Sequence, residues 1–256
     1  MAAGPGDNVG VSPERDARWP ARPTVVEVPA TFPSHQAAVL PLKILWPRTV
    51  DGVALAVGAA APDLVYAVDG MVPPVGTHAW LAVFWWAVPV TMVCTWVIRV
   101  LAPVVAAHLP TCGRFQLRDY GTLGGHRYRW PVVAACAALG AASHIGWDTF
   151  THASIDGGTL LLPQLGRTVW PGMPLWHALQ WVSSLAGAVA AAAMVRFIGR
   201  HRLLLAWHGS APPVRRRPVA FWGAALTVAS ALTGTLPLLP GSTGPHVLGT
   251  RMLGVF

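Results

Sequence analysis

Charge is what this sequence has least of. Only 11% of its 256 residues are Asp, Glu, Lys or Arg, while 54% are hydrophobic. Soluble domains carry roughly 25% charged residues, and disordered chains combine high charge with low hydrophobicity, so both classes are excluded. Cysteine is scarce too. Cys94, Cys112 and Cys136 form no CxxC pair, which leaves no thiolate metal motif, redox motif or disulfide framework. A GxSxG nucleophile elbow, a P-loop and a GxGxxG turn are all missing, so serine-hydrolase and nucleotide-binding readings have no support. Lysine occurs once, as Lys43; the other basic residues are Arg, and 18 Lys plus Arg against 10 Asp plus Glu give a net charge of +8.

What the sequence does have is long uncharged stretches: 70–98, 130–147, 168–195 and 218–250. A helix needs about 20 apolar residues to cross a bilayer core. These stretches predict transmembrane helices over 79–98, 131–150, 175–195 and 219–240, with Pro89 inside the first. A shorter apolar stretch, 34–46, is broken by Lys43, and 52–62 lies between Asp51 and Asp63. Neither is long enough to span alone, and together they predict a helical hairpin tipped by Lys43 and Arg48. The expected fold is all-α, a polytopic transmembrane helix bundle of about five to six membrane segments. Residues 1–31, rich in proline with three Arg and four acids, read as a flexible tail without the apolar run of a signal peptide. The core domain is expected over 32–200. The remainder, 201–256, is expected to hold a basic loop, a last transmembrane helix and a further apolar segment cut short at Phe256.

The arginines set an orientation. Arg99, Arg114, Arg118, Arg127 and Arg129 stand against Asp119 in one loop, and six Arg with no acid fill 196–217. Short basic loops face the cytoplasm, so this charge is expected to fix topology and meet membrane lipids rather than nucleic acid. His78, His144, Asp148, His152, His177, Gln180 and Asp63 then fall near the extracytoplasmic face, and His35 joins them if 34–62 is a hairpin.

The strongest local signal is ASHIGWDTFTH, residues 142–152. His144, Asp148 and His152 recur every four residues, which stacks them on one helix face over about 12 Å. Two neighbours of the three can grip one ion, as the two His of HExxH do, if Asp63, His78 or His35 completes the shell. Imidazole and carboxylate together favour a divalent metal such as Zn²⁺. The competing reading is a hydrogen-bonded polar knot, from His to Asp to Ser143, that joins helices without any ion. His177 and Gln180 are expected to pack and anchor, and Ser183, Gly187 and Ala191 form a small-residue stripe for close helix approach.

FPSHQAAVLPL (32–42), GAAAPDLVY (58–66), THAWL (77–81), ASHIGWDTFTH and LQWVSSLAG (179–187) occur in that order. Over about 32–195 the chain thereby resembles an uncharacterised, actinobacterial-type multi-pass membrane family of unknown function, similar to the predicted membrane-bound metal-dependent hydrolases. The resemblance implies a metal site drawing on His35, Asp63, His78, His144, Asp148 and His152, and a bacterial plasma membrane. Two functions compete. One is a metal-dependent hydrolase of a membrane-surface ester or phosphoester, with Asp63 and Asp148 as catalytic carboxylates and Asp63 or Asp69 as general base. The other is a non-catalytic membrane scaffold or assembly protein whose polar cluster only cements the bundle. A transporter would show an internal repeat, and none is visible.

Overall fold

The computed structural model describes residues 33–73, 75–111, 113–152, 158–241 and 251. The tail expected at 1–31 and the segment ending at Phe256 lie outside these residues. The fold is an all-α membrane bundle. Four helical stretches are long and apolar enough to cross a bilayer, Val83–His108, Trp130–Thr151, Leu175–Arg200 and Pro218–Leu238.

The first two helices are short. Helix α1 (Ser34–Leu45) buries one stripe, His35, Val39 and Lys43, at steps of four, with Gln36 beside it. Helix α2 (Gly52–Gly58) starts at Asp51, whose Oδ1 accepts from the N–H groups of Val53 and Ala54. This cap satisfies donors that begin a helix unpaired. The two helices form the expected hairpin, and Lys43 is only 4% exposed. A 3-10 turn, Ala61–Val68, opened by Pro62, follows and carries Asp63.

Helix α3 (Val88–His108) is preceded by a π-helical turn, Val83–Ala87. One expectation changes here. The helix runs ten residues beyond Ile98, because Arg99 does not end it: its guanidinium pairs with buried Asp51 at 2.6 Å, so the charge is neutralised inside the bundle. Pro89 lies directly after the π-helical turn, whose wider hydrogen-bond spacing accommodates the missing N–H within the continuous helical stretch Val83–His108.

Helix α4 (Trp130–Thr151) crosses α2 at two glycines. A β-carbon on Gly58 would stand 2.5 Å from Ala137 O, and one on Gly140 2.4 Å from Leu55 O. Only small residues allow backbones this close. Ala54, Leu55, Ala59, Val133 and Cys136 form a core cluster on one side of this crossing, and Ala61, Val83, Ala87, Ala141 and Ile145 a second. A short α5 (Gly158–Leu161) leads to an antiparallel ribbon of β1 (Thr168–Trp170) and β2 (Met173–Pro174), the only sheet among the described residues. Helix α6 (Leu175–Arg200) packs on α1, with Gly187 against Ser34. Helix α7 (Leu203–His208) is short, and α8 (Pro218–Thr235) buries no residue.

Candidate metal centre

The hairpin and α4 bring distant residues to one depth. His35 opens α1, Asp63 follows α2, His78 precedes α3, and His144 and Asp148 lie one turn apart near the end of α4. Two triads are geometrically able to hold a metal ion: His35, His144 and Asp148, all buried, and Asp63, His78 and His144. Within each, the candidate ligand atoms lie within 4.8 Å of one another.

The distances are informative. His144 Nε2 is 3.0 Å from Asp148 Oδ2 and 3.6 Å from Asp63 Oδ1. His35 Nε2 is 3.5 Å from Asp148 Oδ1, and His78 Nε2 is 3.1 Å from Asp63 Oδ1 and 3.7 Å from Asp148 Oδ2. With metal bonds of 2.0 to 2.2 Å, donors on a tetrahedron are separated by about 3.3 to 3.6 Å. The five side chains therefore stand close to the edge lengths of a coordination shell.

Their proton positions follow from their outer partners. His144 Nδ1 is 2.7 Å from the carbonyl of Ala59, which only accepts, so Nδ1 carries a hydrogen and, in the neutral ring, Nε2 presents a lone pair. The α2–α4 glycine crossing sets that carbonyl there. Thr77 gives its hydroxyl proton to Pro62 O at 2.9 Å, and so accepts from His78 Nδ1 at 3.3 Å. His78 Nε2 then also presents a lone pair, to Asp63. With neutral rings, lone pair faces carboxylate at both positions, an arrangement that calls for a positive charge between them, supplied by a proton or by a metal ion. Consistently, the buried atoms His35 Nε2, His144 Nε2 and Asp148 Oδ1 have no hydrogen-bond partner among the described residues. Buried polar atoms are rarely left so.

Burial pushes His35 down to about 4, with neighbouring His144 acting in the same direction, so the imidazole stays neutral at physiological pH. Burial pulls Asp63 up, but positive charge on His144 and hydrogen bonds from His144 and His78 outweigh it and hold the carboxyl well below its ordinary range, so the carboxylate is the form present when a proton occupies the place of an ion. Neutral imidazole and ionised carboxylate are the states that bind metal.

The remaining candidates separate. His152 caps the end of α4, outside both triads, with Nδ1 3.6 Å from Asp148 Oδ1. Its Nε2 meets the Gln180 amide at 3.0 Å, which takes up the lone pair a ligand would need when that amide donates. Gln180, 3% exposed, was expected only to pack; its partnership with His152 arises where α6 meets α4, and no spacing in the sequence signals it. His177 accepts from Trp181 one turn along α6. Asp69 is beside Gly241, and its backbone carbonyl accepts from Arg251 at 2.7 Å, away from both triads.

Residues 28–239 match the family model described as Domain of unknown function (DUF4184). No curated protein matches the chain, and no solved structure does.

Proposed function

The chain belongs to the DUF4184 family, and from the chemistry of its His/Asp pocket we propose that it is a membrane metal-dependent hydrolase acting on an ester or phosphoester at the bilayer surface. The observation that carries this reading is the convergence of buried atoms from His35, His144 and Asp148 that lie within ion-pair distance of one another, while His35 Nε2, His144 Nε2 and Asp148 Oδ1 make no hydrogen bond among the described residues. A closed structural knot would pair them; an ion site leaves their lone pairs aimed at one point. His35, His144 and Asp148 would hold the ion, with His78 and Asp63 toward the accessible side. Their side chains are 18% and 20% exposed, against 4% or less for the other three. A Zn²⁺ ion, when bound, supplies Lewis-acid chemistry that activates water and polarises the ester oxygen.

The protein's own groups divide the remaining work. Asp63, the more open of the two carboxylates, takes the proton of the attacking water and returns it to the departing alkoxide. Asp148, buried between His35 and His144, fixes the imidazoles, and His152 with Gln180 steadies Asp148 from behind. On this reading the protein sits in a bacterial plasma membrane with this pocket on its outer face, the orientation expected from the arginine-rich loops.

The test is metal analysis of the full chain purified in detergent, followed by ester and phosphoester hydrolysis with and without chelator. Stoichiometric metal, lost in His144→Ala and Asp148→Asn together with hydrolysis, is expected. A scaffold reading draws on the bonds from His144 to Ala59 and from Gln180 to His152, which tie α4 to α2 and α6. It predicts metal-free folded protein that chelators leave unchanged, and that result would replace the hydrolase reading.

A further inference from the structure

A second built pocket lies at the opposite end of α4, eleven residues and about 16 Å along the helix from His144. It is a cavity of about 290 Å³ between α3 and the start of α4. Thr95 and Arg99 line it from α3, Arg127 and Tyr128 from the segment before α4, and Trp96 and Trp130 stand at its rim. Both tryptophans are well exposed, at 61% and 71%, as side chains at a bilayer edge are.

Arg99 is neutralised by Asp51, so the net positive charge at the cavity is that of Arg127. The lining holds two arginines and no carboxylate. One Arg99 nitrogen is committed to Asp51, but the buried Nε has no partner among the described residues. Arg127 makes no ion pair among them. Thr95 is only 2% exposed, and its hydroxyl also has no partner. A threonine inside a helix usually bonds the carbonyl four residues back, and this hydroxyl makes no such bond.

We propose that this pocket binds the headgroup phosphate of an anionic phospholipid. Arg127 and Arg99 Nε meet the phosphate, Thr95 bonds it from below, and the acyl chains follow the apolar groove between α3 and α4 past Met92 and Val133. Basic pockets between transmembrane helices hold anionic headgroups in this way, and the absence of any acid in the lining disfavours a zwitterionic head. The site is independent of the metal reading, since it shares no side chain with either triad.

The experiment is native mass spectrometry of the detergent-purified full chain titrated with phosphatidylglycerol, phosphatidylcholine or inorganic phosphate. The wild-type protein is expected to retain phosphatidylglycerol over phosphatidylcholine, undisturbed by millimolar inorganic phosphate. Arg127→Gln should weaken phosphatidylglycerol binding about fivefold, while Arg129→Gln, the same charge change just outside the pocket, should leave it unchanged. Thr95→Val should weaken binding too without lowering the melting midpoint, because the hydroxyl it removes has no protein partner. Equal retention of both lipids, equal losses in the two arginine variants, or displacement by inorganic phosphate would each overturn the assignment. The last result would make it a site for a small free anion.

Discussion

The two ends of the hairpin bury comparable polar groups and treat them differently. At the Lys43 end, the ammonium donates to Pro47 O, Val50 O and the Tyr128 hydroxyl, which itself donates to Pro47 O. Asp51 pairs with Arg99 through one oxygen and caps α2 through the other. Eight residues along α1, about 12 Å away, the His35 end leaves Nε2 of His35, Nε2 of His144 and Oδ1 of Asp148 without a partner among the described residues. Both ends have the burial; at the Lys43 end Arg99 Nε is left without a hydrogen bond while its guanidinium is still ion-paired, whereas at the His35 end three converging atoms are left so. Buried charge paired with opposite charge and carbonyls holds a structure together, whereas buried lone pairs aimed at one another describe a place for something else.

The sharpest way to break this contrast is at the paired end. Asp51→Ala leaves the Arg99 charge buried alone and uncaps α2, and should cost about 3 to 5 kcal/mol, read as a lower unfolding midpoint in detergent with the metal content of the remaining folded protein unchanged. At the other end, removing the ion should matter as much as a side chain does. Chelation of wild-type protein should lower stability by about 3 to 4 kcal/mol if the ion had been present at 100 to 1,000 times its dissociation constant, and Asp148→Asn should show no such drop. A midpoint indifferent to chelator in both proteins would erase the difference between the ends.

Between the ends lies the glycine crossing, which should affect both. Gly140→Val places side-chain atoms against the Leu55 carbonyl, and overpacking of this kind should cost about 1 to 3 kcal/mol. Because the same crossing sets Ala59 O against His144 Nδ1, metal affinity should fall as well, measurable by competition with a chromophoric chelator. The smallest effect on folding is expected from Gln180→Leu. It removes the partner of His152, which stands beside Asp148 and outside both triads, so metal affinity should fall by less than the roughly 10- to 100-fold typical of a group bonded directly to a ligand. A melting midpoint near that of wild type, with weaker metal binding, would identify Gln180 as a positioning residue of the pocket.

Much of this architecture is legible in the chain. The uncharged stretches announce helices α4, α6 and α8 nearly to their ends, since apolar length is what a bilayer demands. Residue spacing also marks His144 and Asp148 as one helix face, and charge spacing marks the hairpin. The extent of α3 is not legible, because a charge at Arg99 reads as a membrane edge until its partner, 48 residues earlier, is known. Nor is the difference between His144 and His152, which have the same residue type and the same four-residue step from Asp148. One has its Nδ1 proton on a carbonyl and its Nε2 toward the carboxylates; the other has its Nε2 against Gln180.

Sequence by itself determined that this chain is a bundle of membrane helices with a few ionisable groups buried among them, because hydrophobic length and helical period are local properties. Which groups share a pocket, which find partners and which are left with converging lone pairs was decided by the tertiary structure alone. Those outcomes depend on distances between elements far apart in the chain, set here by two glycines that let α2 lie against α4.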